Sequence, residues 1–222
     1  TGKLLPTGNV VDTLDVPGIG KIRVSMVDAA NATVWVKAAD IGLSGIELPE
    51  PLEANTVAMQ KLSAIRIAAS VAMGIAPNVE EAAKQKSVPF IGFVSAPQDA
   101  KLLSGETIKA DEIDLTGRVI SNGQPHRALP LTVSLCMAVA SRIEGSVVSE
   151  VLRKGTDAEA PIRIGMPSGI LTVAATVRQK DSDWHAEQGA FYRTQRRMFE
   201  GQVLVRASRV PGEIASGKQK AA

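Results

Sequence analysis

The sequence predicts a mixed α/β (α+β) fold. Two long apolar stretches with helical spacing, near residues 52–73 and 131–143, stand among many short runs rich in Val, Ile and Thr. Turn signals such as Asn122-Gly123 punctuate them. The composition, 45% hydrophobic and 22% charged, is that of an ordinary globular domain. At 222 residues the chain is one large domain or two small ones, long enough to bury a core. No short-period repeat and no internal linker is visible.

Taken in order, Gly18-Ile19-Gly20 reads as a hairpin turn. A phosphate loop would need a third glycine and a following helix, and a strand follows instead. Residues 19–36 give two strands around Asp28-Ala29-Ala30-Asn31, where Asn31 suits an Asx turn or offers an amide to a ligand. Ala39–Pro51 reads as loop, with two glycines and two prolines. Leu62, Ile65, Ala69 and Met73 recur on one face of a helix predicted over 52–73, ended by Gly74. A short exposed helix at 79–86 and a buried strand at 89–95 come next. A strand at 113–120 then leads through Asn122-Gly123 into His126-Arg127. Leu131–Ile143 is apolar almost all round, the signature of a helix buried in a core, and Gly145 ends it. Residues 147–152 fit a strand or a helical turn. Strands at 162–164 and 169–177 flank Met166-Pro167-Ser168-Gly169, and a polar hairpin tip spans 180–183. His185, next to Trp184, is placed at that tip as an exposed side chain. A basic stretch, YRTQRRM, precedes a last strand at 202–205 and a small, polar tail expected to be disordered. Arg193, Arg196 and Arg197 read as a solvated face.

Several function classes fall away. Aromatics at 3% leave no stacking platform for nucleic acid, and a net charge of +2 gives no electrostatic footprint for it. One cysteine allows no disulfide framework, and two histidines make no usual zinc set, so no metal is expected. No uncharged apolar run approaches the ~18 residues of a membrane span. The opening, TGKLLPTGN, carries no leader and no initiator Met, and Leu4-Leu5-Pro6 reads like mid-domain chain. A cytoplasmic setting and a preceding segment are expected. Cys136 lies mid-helix among Leu135, Met137 and Val139, which predicts a buried, inert thiol.

The candidate chemistry gathers at the start of the second apolar helix. A helix N-terminus offers unpaired N–H groups and the positive end of the macrodipole. With Arg127 and the hydroxyls of Thr132 and Ser134 nearby, it makes a seat for a carboxylate or phosphate. Ser168 and Gly169, in a tight turn between strands, add a hydroxyl and freed N–H groups.

The segments Leu5-Pro6-Thr7-Gly8-Asn9, MVDAANATVWVKAADIG at 26–42, IRIAASVAMGI at 65–75, HRALPLT at 126–132, GMPSGILTV at 165–173 and RTQRRMFEGQV at 193–203 together resemble the PrpF family of the diaminopimelate-epimerase superfamily. Its members include 2-methylaconitate cis-trans isomerase, methylitaconate and aconitate Δ-isomerases and 4-oxalomesaconate tautomerase. The resemblance implies two pseudo-symmetric lobes, each a curled mixed sheet around a central hydrophobic helix, with the active site between them. This chain then resembles the second, C-terminal lobe. Residues 1–20 are a lead-in between lobes, 21–200 the lobe, 201–211 a return strand toward the missing N-terminal lobe, and 212–222 a tail. The implied reaction is a cofactor-free shift of a double bond in a di- or tricarboxylic acid. The proton-moving Lys and Cys belong to the absent first lobe. Asn31, His126, Arg127, Thr132, Ser168 and Gly169 are the expected substrate-binding residues here, and a homodimer is a further partner. Rival readings are a non-catalytic α/β binding or assembly lobe and an amino-acid epimerase. The epimerase needs a second cysteine at the helix start, where this sequence has Leu131.

Overall fold

The computed structural model describes residues 2–181, 183–193 and 195–209. The chain divides into two compact units, Thr1–Tyr192 and Arg193–Ala222.

The first unit holds every strand and α-helix seen among the described residues. A nine-stranded mixed sheet runs β1-β2-β3-β4-β7-β9-β10-β11, with a two-residue β8 on β7. The strands are β1 (Asp12–Val16), β2 (Gly20–Ala29), β3 (Asn31–Lys37), β4 (Phe90–Ser95), β7 (Leu115–Ser121), β8 (Gln124–Pro125), β9 (Ile162–Met166), β10 (Gly169–Lys180) and β11 (Asp183–Phe191). β5 (Ala100–Lys101) and β6 (Thr107–Ile108) form a separate small hairpin. Two pairings are parallel, β3–β4 and β7–β9; the others are antiparallel.

Side chains alternate across the sheet and build two cores. Val24, Met26, Val34, Val36, Ile91 and Phe93 face one side. There they meet α2 (Thr56–Ala72) through Leu62, Ile65 and Ala69. Val27, Trp35, Val94, Leu115 and Val119 face the other and meet α4 (Leu131–Arg142). α4 touches β2 and β3 near one end of the sheet and β10 and β11 at the other. The sheet therefore curls around this helix. Two strand glycines permit the close packing. A Cβ at Gly92 would sit 2.2 Å from the Trp35 ring, and one at Gly117 would sit 2.4 Å from Met137 Cε.

The second apolar helix forms almost as predicted, over Leu131–Arg142. The helix expected at 52–73 is two: α1 (Pro49–Ala54) and α2, separated by Asn55, whose side chain accepts from Ala58 N–H and caps α2. The short helix α3 spans Val79–Lys84. Residues Ser149–Val151 form a 3-10 turn, which decides for the helical-turn reading there. The loop expected at 39–51 includes a 3-10 turn at Ala39–Ile41. β1 lies within residues 1–20, the expected lead-in between lobes. β11 starts at the predicted hairpin tip, so His185 stands on a strand rather than in the turn. No helix among the described residues is long and apolar enough to cross a membrane.

In the second unit, the strand expected at 202–205 is not formed. Residues 201–206 have no regular structure, and Val203, Leu204 and Val205 are exposed. A strand exists only within a ladder, and none of the described residues pairs with this stretch. Arg193, Arg196 and Arg197 are exposed, and Arg197 pairs with Glu200. The expected tail, 212–222, lies outside the described residues.

Candidate functional site

The rim of the sheet at the start of α4 is assembled from three separate segments. Ala30, with φ 63°, turns the chain from β2 into β3 and leaves Asn31 at the first position of β3. The segment after β8 then runs back along the strand ends. The His126 N–H donates to the Val119 carbonyl (2.9 Å), and the Leu129 N–H donates to the Met166 sulfur (3.3 Å). The third segment is the β9–β10 turn, Met166-Pro167-Ser168-Gly169, held from outside by the Leu103 N–H on the Pro167 carbonyl (2.9 Å).

α4 begins here without a cap. Pro130 occupies the N-cap position in extended conformation and offers no side-chain acceptor. The first helical bond runs from the Ser134 N–H to the Pro130 carbonyl (2.9 Å). The Ser134 hydroxyl turns back to the Leu131 carbonyl (2.7 Å), so it is spent within the helix. Among the described residues, the N–H groups of Leu131, Thr132 and Val133 have no backbone acceptor. They carry the positive end of the helix dipole into the rim.

The expected site residues divide. Asn31 and Thr132, far apart in sequence, are joined: the Asn31 amide donates to the Thr132 hydroxyl. That bond takes a lone pair on the Thr132 oxygen and leaves its O–H to point elsewhere. The His126 ring is half-buried against Phe90, with ring centres 6.4 Å apart. Burial lowers its pKa, so the imidazole is held neutral. Arg127 is committed to a different partner, Glu50 of α1, at 2.8 Å. Both side chains of that pair are about two-thirds exposed, at 64% and 66%, so water and salt screen it. Ser168 is exposed at its turn, and Gly169 follows with φ 133°.

Cys136 is buried one turn into α4, with its thiol on the Val27 carbonyl (3.4 Å). Burial pushes the thiol up to about 11, against the smaller opposing pull of the Thr33 and Trp35 side chains. It is not a thiolate near neutral pH.

One structural support carried no sequence signal. Arg118, buried in β7, donates to the carbonyls of Glu47 (2.7 Å), Gly117 (2.8 Å) and Gly165 (3.1 Å). Burial without a directly bonded carboxylate lowers its pKa to about 10, which still leaves it charged. The Glu47 carboxylate in turn accepts from the Ser44 and Gly45 N–H groups. Burial acts to raise the Glu47 pKa, but these donors outweigh it and the net shift is downward. Arg118 thereby pins the loop that leads into α1, and so places Glu50 beside Arg127. A lone Arg in an apolar strand gives no hint of this, because its partners are backbone carbonyls from three segments.

One cavity lies away from the helix start. A slot of about 1000 Å3 opens along the side of α4, between residues 2–10, the β2–β3 turn and β11. None of His126, Arg127, Thr132, Ser168 or Gly169 lines it; only Asp28–Ala30, next to Asn31, joins slot and rim.

Residues 1–206 match the sequence profile of the family described as PrpF protein. The chain belongs to the PrpF family. It is 38% identical to the 3-methylitaconate isomerase of Eubacterium barkeri over 212 residues, covering 95% of this chain and 54% of that protein. It is 34% identical to the 2-methyl-aconitate isomerase of Shewanella oneidensis over 204 residues, covering 92% of this chain and 51% of the relative. The (4E)-oxalomesaconate Δ-isomerase of a Novosphingobium species is 28% identical over 207 residues, 92% of this chain and 50% of its own length. A crystal structure of methylitaconate Δ-isomerase superposes with TM-score 0.77 at 35% identity, covering 86% of this chain and 51% of that one. The mixed α/β fold is thus shared with that enzyme. The chain spans about half the length of the curated relatives it matches.

Proposed function

We propose that this chain is the substrate-binding half of an isomerase that moves a double bond by proton transfer in a di- or tricarboxylic acid of the aconitate, methylaconitate or oxalomesaconate type. The observation that carries the reading is the similarity, at 34% and 38% identity over more than nine-tenths of the chain, to isomerases of 2-methyl-aconitate and 3-methylitaconate.

In this reaction a base removes a proton from an allylic carbon, the double bond migrates, and a proton returns at the far carbon. Negative charge develops on the activating carboxylate, where fixed donors lower the barrier. In this reading one substrate carboxylate lies on the open N-terminus of α4 and takes the N–H groups at Leu131–Val133 and the Thr132 hydroxyl. Asn31 orients that hydroxyl. Arg127 exchanges its solvent-screened partner Glu50 for a second carboxylate. Ser168 closes the far side, and neutral His126 lines the approach. The proton itself is moved by a Lys and a Cys of the other half of the enzyme. Cys136, protonated and buried, takes no part.

The test is a thermal-shift panel on the 222-residue chain with aconitate, 2-methylaconitate, itaconate and oxalomesaconate, followed by an absorbance assay of the conjugated alkene. At least one polycarboxylate should raise Tm, and isomerisation should require the other half. Isomerisation by this chain alone would put the acid/base residues in this half. No ligand-induced shift and no activity in any combination would refute the reading.

A further inference from the structure

The Glu50–Arg127 pair joins two side chains whose backbones are fixed independently of it. On one side, the loop 44–48 is fastened to the sheet. The Thr116 hydroxyl donates to the Gly45 carbonyl (3.0 Å), the Gln98 amide to the Ser44 carbonyl (2.7 Å) and Arg118 to the Glu47 carbonyl (2.7 Å). Gly45 lies so close to β4 that a Cβ there would stand 2.3 Å from the Ser95 hydroxyl oxygen. Pro49 and Glu50 then open α1. On the other side, the backbone N–H groups of His126 and Leu129 hold the segment that carries Arg127. The pair can therefore open by side-chain rotation alone. Glu50 is about two-thirds exposed, so water solvates its carboxylate when Arg127 leaves. Charge makes that opening matter. Within the three rim segments, 28–31, 122–132 and 165–169, Arg127 is the single Lys or Arg. Glu50 neutralises it at 2.8 Å.

We infer that Glu50 is the specificity-determining residue of this rim: a built-in carboxylate that competes with the substrate for Arg127 and so selects acids carrying several carboxylates. The inference rests on the isomerase reading above and deepens it. Glu50 is part of the chain, so it meets Arg127 at a high effective concentration. A monocarboxylate arrives from free solution and loses that competition. An acid with two or more carboxylates seats one on the open start of α4, and its next carboxylate is then tethered as Glu50 is. The contest becomes one between two tethered carboxylates, of which Glu50 is already screened by water and salt. Glu50 thus weakens every acid that needs Arg127, and weakens least the acid with the most carboxylates to offer. Its fixed backbone keeps it in place as the competitor after it has been displaced.

The experiment is titration calorimetry of the 222-residue chain with aconitate, itaconate and crotonate, which carry three, two and one carboxylates. The proteins are the wild type, Glu50→Gln, Arg127→Ala and the double variant. Beside it, phenylglyoxal labelling of Arg127, read by peptide mapping without any acid present, reports the pair itself. Glu50→Gln should tighten aconitate about two- to fivefold, the worth of a screened ion pair. It should tighten crotonate more, narrowing the preference for aconitate, and it should speed the labelling of Arg127. In the Arg127→Ala background the gain should vanish, since the two residues act as one unit. Three results would overturn the inference while leaving the isomerase reading intact: aconitate bound no tighter by Glu50→Gln, the same gain in the Arg127→Ala background, or labelling of Arg127 indifferent to Glu50. A weaker grip on aconitate in Glu50→Gln would make Glu50 an orienting partner of Arg127 instead of its competitor. Faster labelling in Glu50→Gln with no acid bound by any of the proteins would refute the proposed function, and the inference with it.

Discussion

α2 and α4 lie on opposite faces of one sheet and solve opposite problems. α2 is amphipathic: over 17 residues it buries six, including Leu62, Ile65 and Ala69. Its outer face meets solvent, and Asn55 satisfies its N-terminus. α4 buries eight of its 12 residues, because the sheet wraps it, and no side chain caps its start. The helix that is finished locally serves the fold alone. The helix with the deeper burial is left uncapped at one end and bordered by a slot along one side.

The contrast breaks first at the level of burial. Ala138→Glu puts an unpaired charge at a position 1% exposed on α4, and should cost about 4 kcal/mol or more, enough to unfold a marginal domain. Ser63→Glu on the exposed face of α2 should stay within about 0.5 kcal/mol. Urea melts of the two variants measure the difference directly.

At the open end, Arg127→Ala should weaken polycarboxylate binding by about 1.5–3 kcal/mol, the range for a hydrogen bond between charged groups. Its melting temperature should barely move, since the Glu50 pair is solvent-screened. Titration calorimetry beside a thermal melt separates the two effects.

The caps sharpen the contrast by sign. Asn55→Ala removes a cap from α2 and should lose about 1 kcal/mol of stability. Pro130→Asp supplies α4 with the acceptor it lacks and should gain up to about 1 kcal/mol. The added carboxylate also occupies the seat assigned to substrate, so affinity should fall while stability rises. Equal affinity in Pro130→Asp would remove the helix start from the binding site.

Smaller effects come from titration. Burial depresses the folded pKa of His126 below its unfolded value near 6.5, so the unfolded state binds the proton more readily. The stability tied to neutral His126 is complete above that unfolded value and is lost as pH falls through the lower folded one. His126→Gln should flatten the stability profile in that acid window, as followed by melts at stepped pH. Smallest of all, Cys136→Ala should leave turnover of the assembled enzyme within a few-fold. A hundredfold loss at unchanged stability would correspond to about 2.7 kcal/mol of transition-state stabilisation and would restore the thiol to the mechanism.

What the sequence disclosed follows the same physics. α4 was legible to within a residue because the sheet wraps most of its circumference and leaves an apolar run with almost no polar face. β1 and β11 were not. DTLDV carries two aspartates, and DWHAEQGAF, on an open sheet edge, has no buried face to impose alternation. Asn55 hid the break between α1 and α2, since a capping Asn looks like any polar residue until the helix start is known. At the candidate site, the pattern around His126-Arg127 located the rim, but the partners came from elsewhere. Glu50 on Arg127, Asn31 on Thr132 and the Arg118 bolt to Glu47 and Gly165 join residues 47 to 101 positions apart, and no local periodicity encodes such contacts.

The wrapping of α4 also sets an order of events during synthesis. The helix packs on β2 and β3, which leave the ribosome before it, and on β10 and β11, which leave after it. From the end of α4 to the end of β11 the ribosome adds about 50 residues, roughly 3–10 s at ordinary elongation rates. For that interval the most apolar helix of the molecule has only half its sheath. Pausing of translation within β10, or truncation before β11, should therefore deliver the nascent chain to chaperones, whereas the same delay inside α2, a helix served by strands already made or close behind, should pass unnoticed.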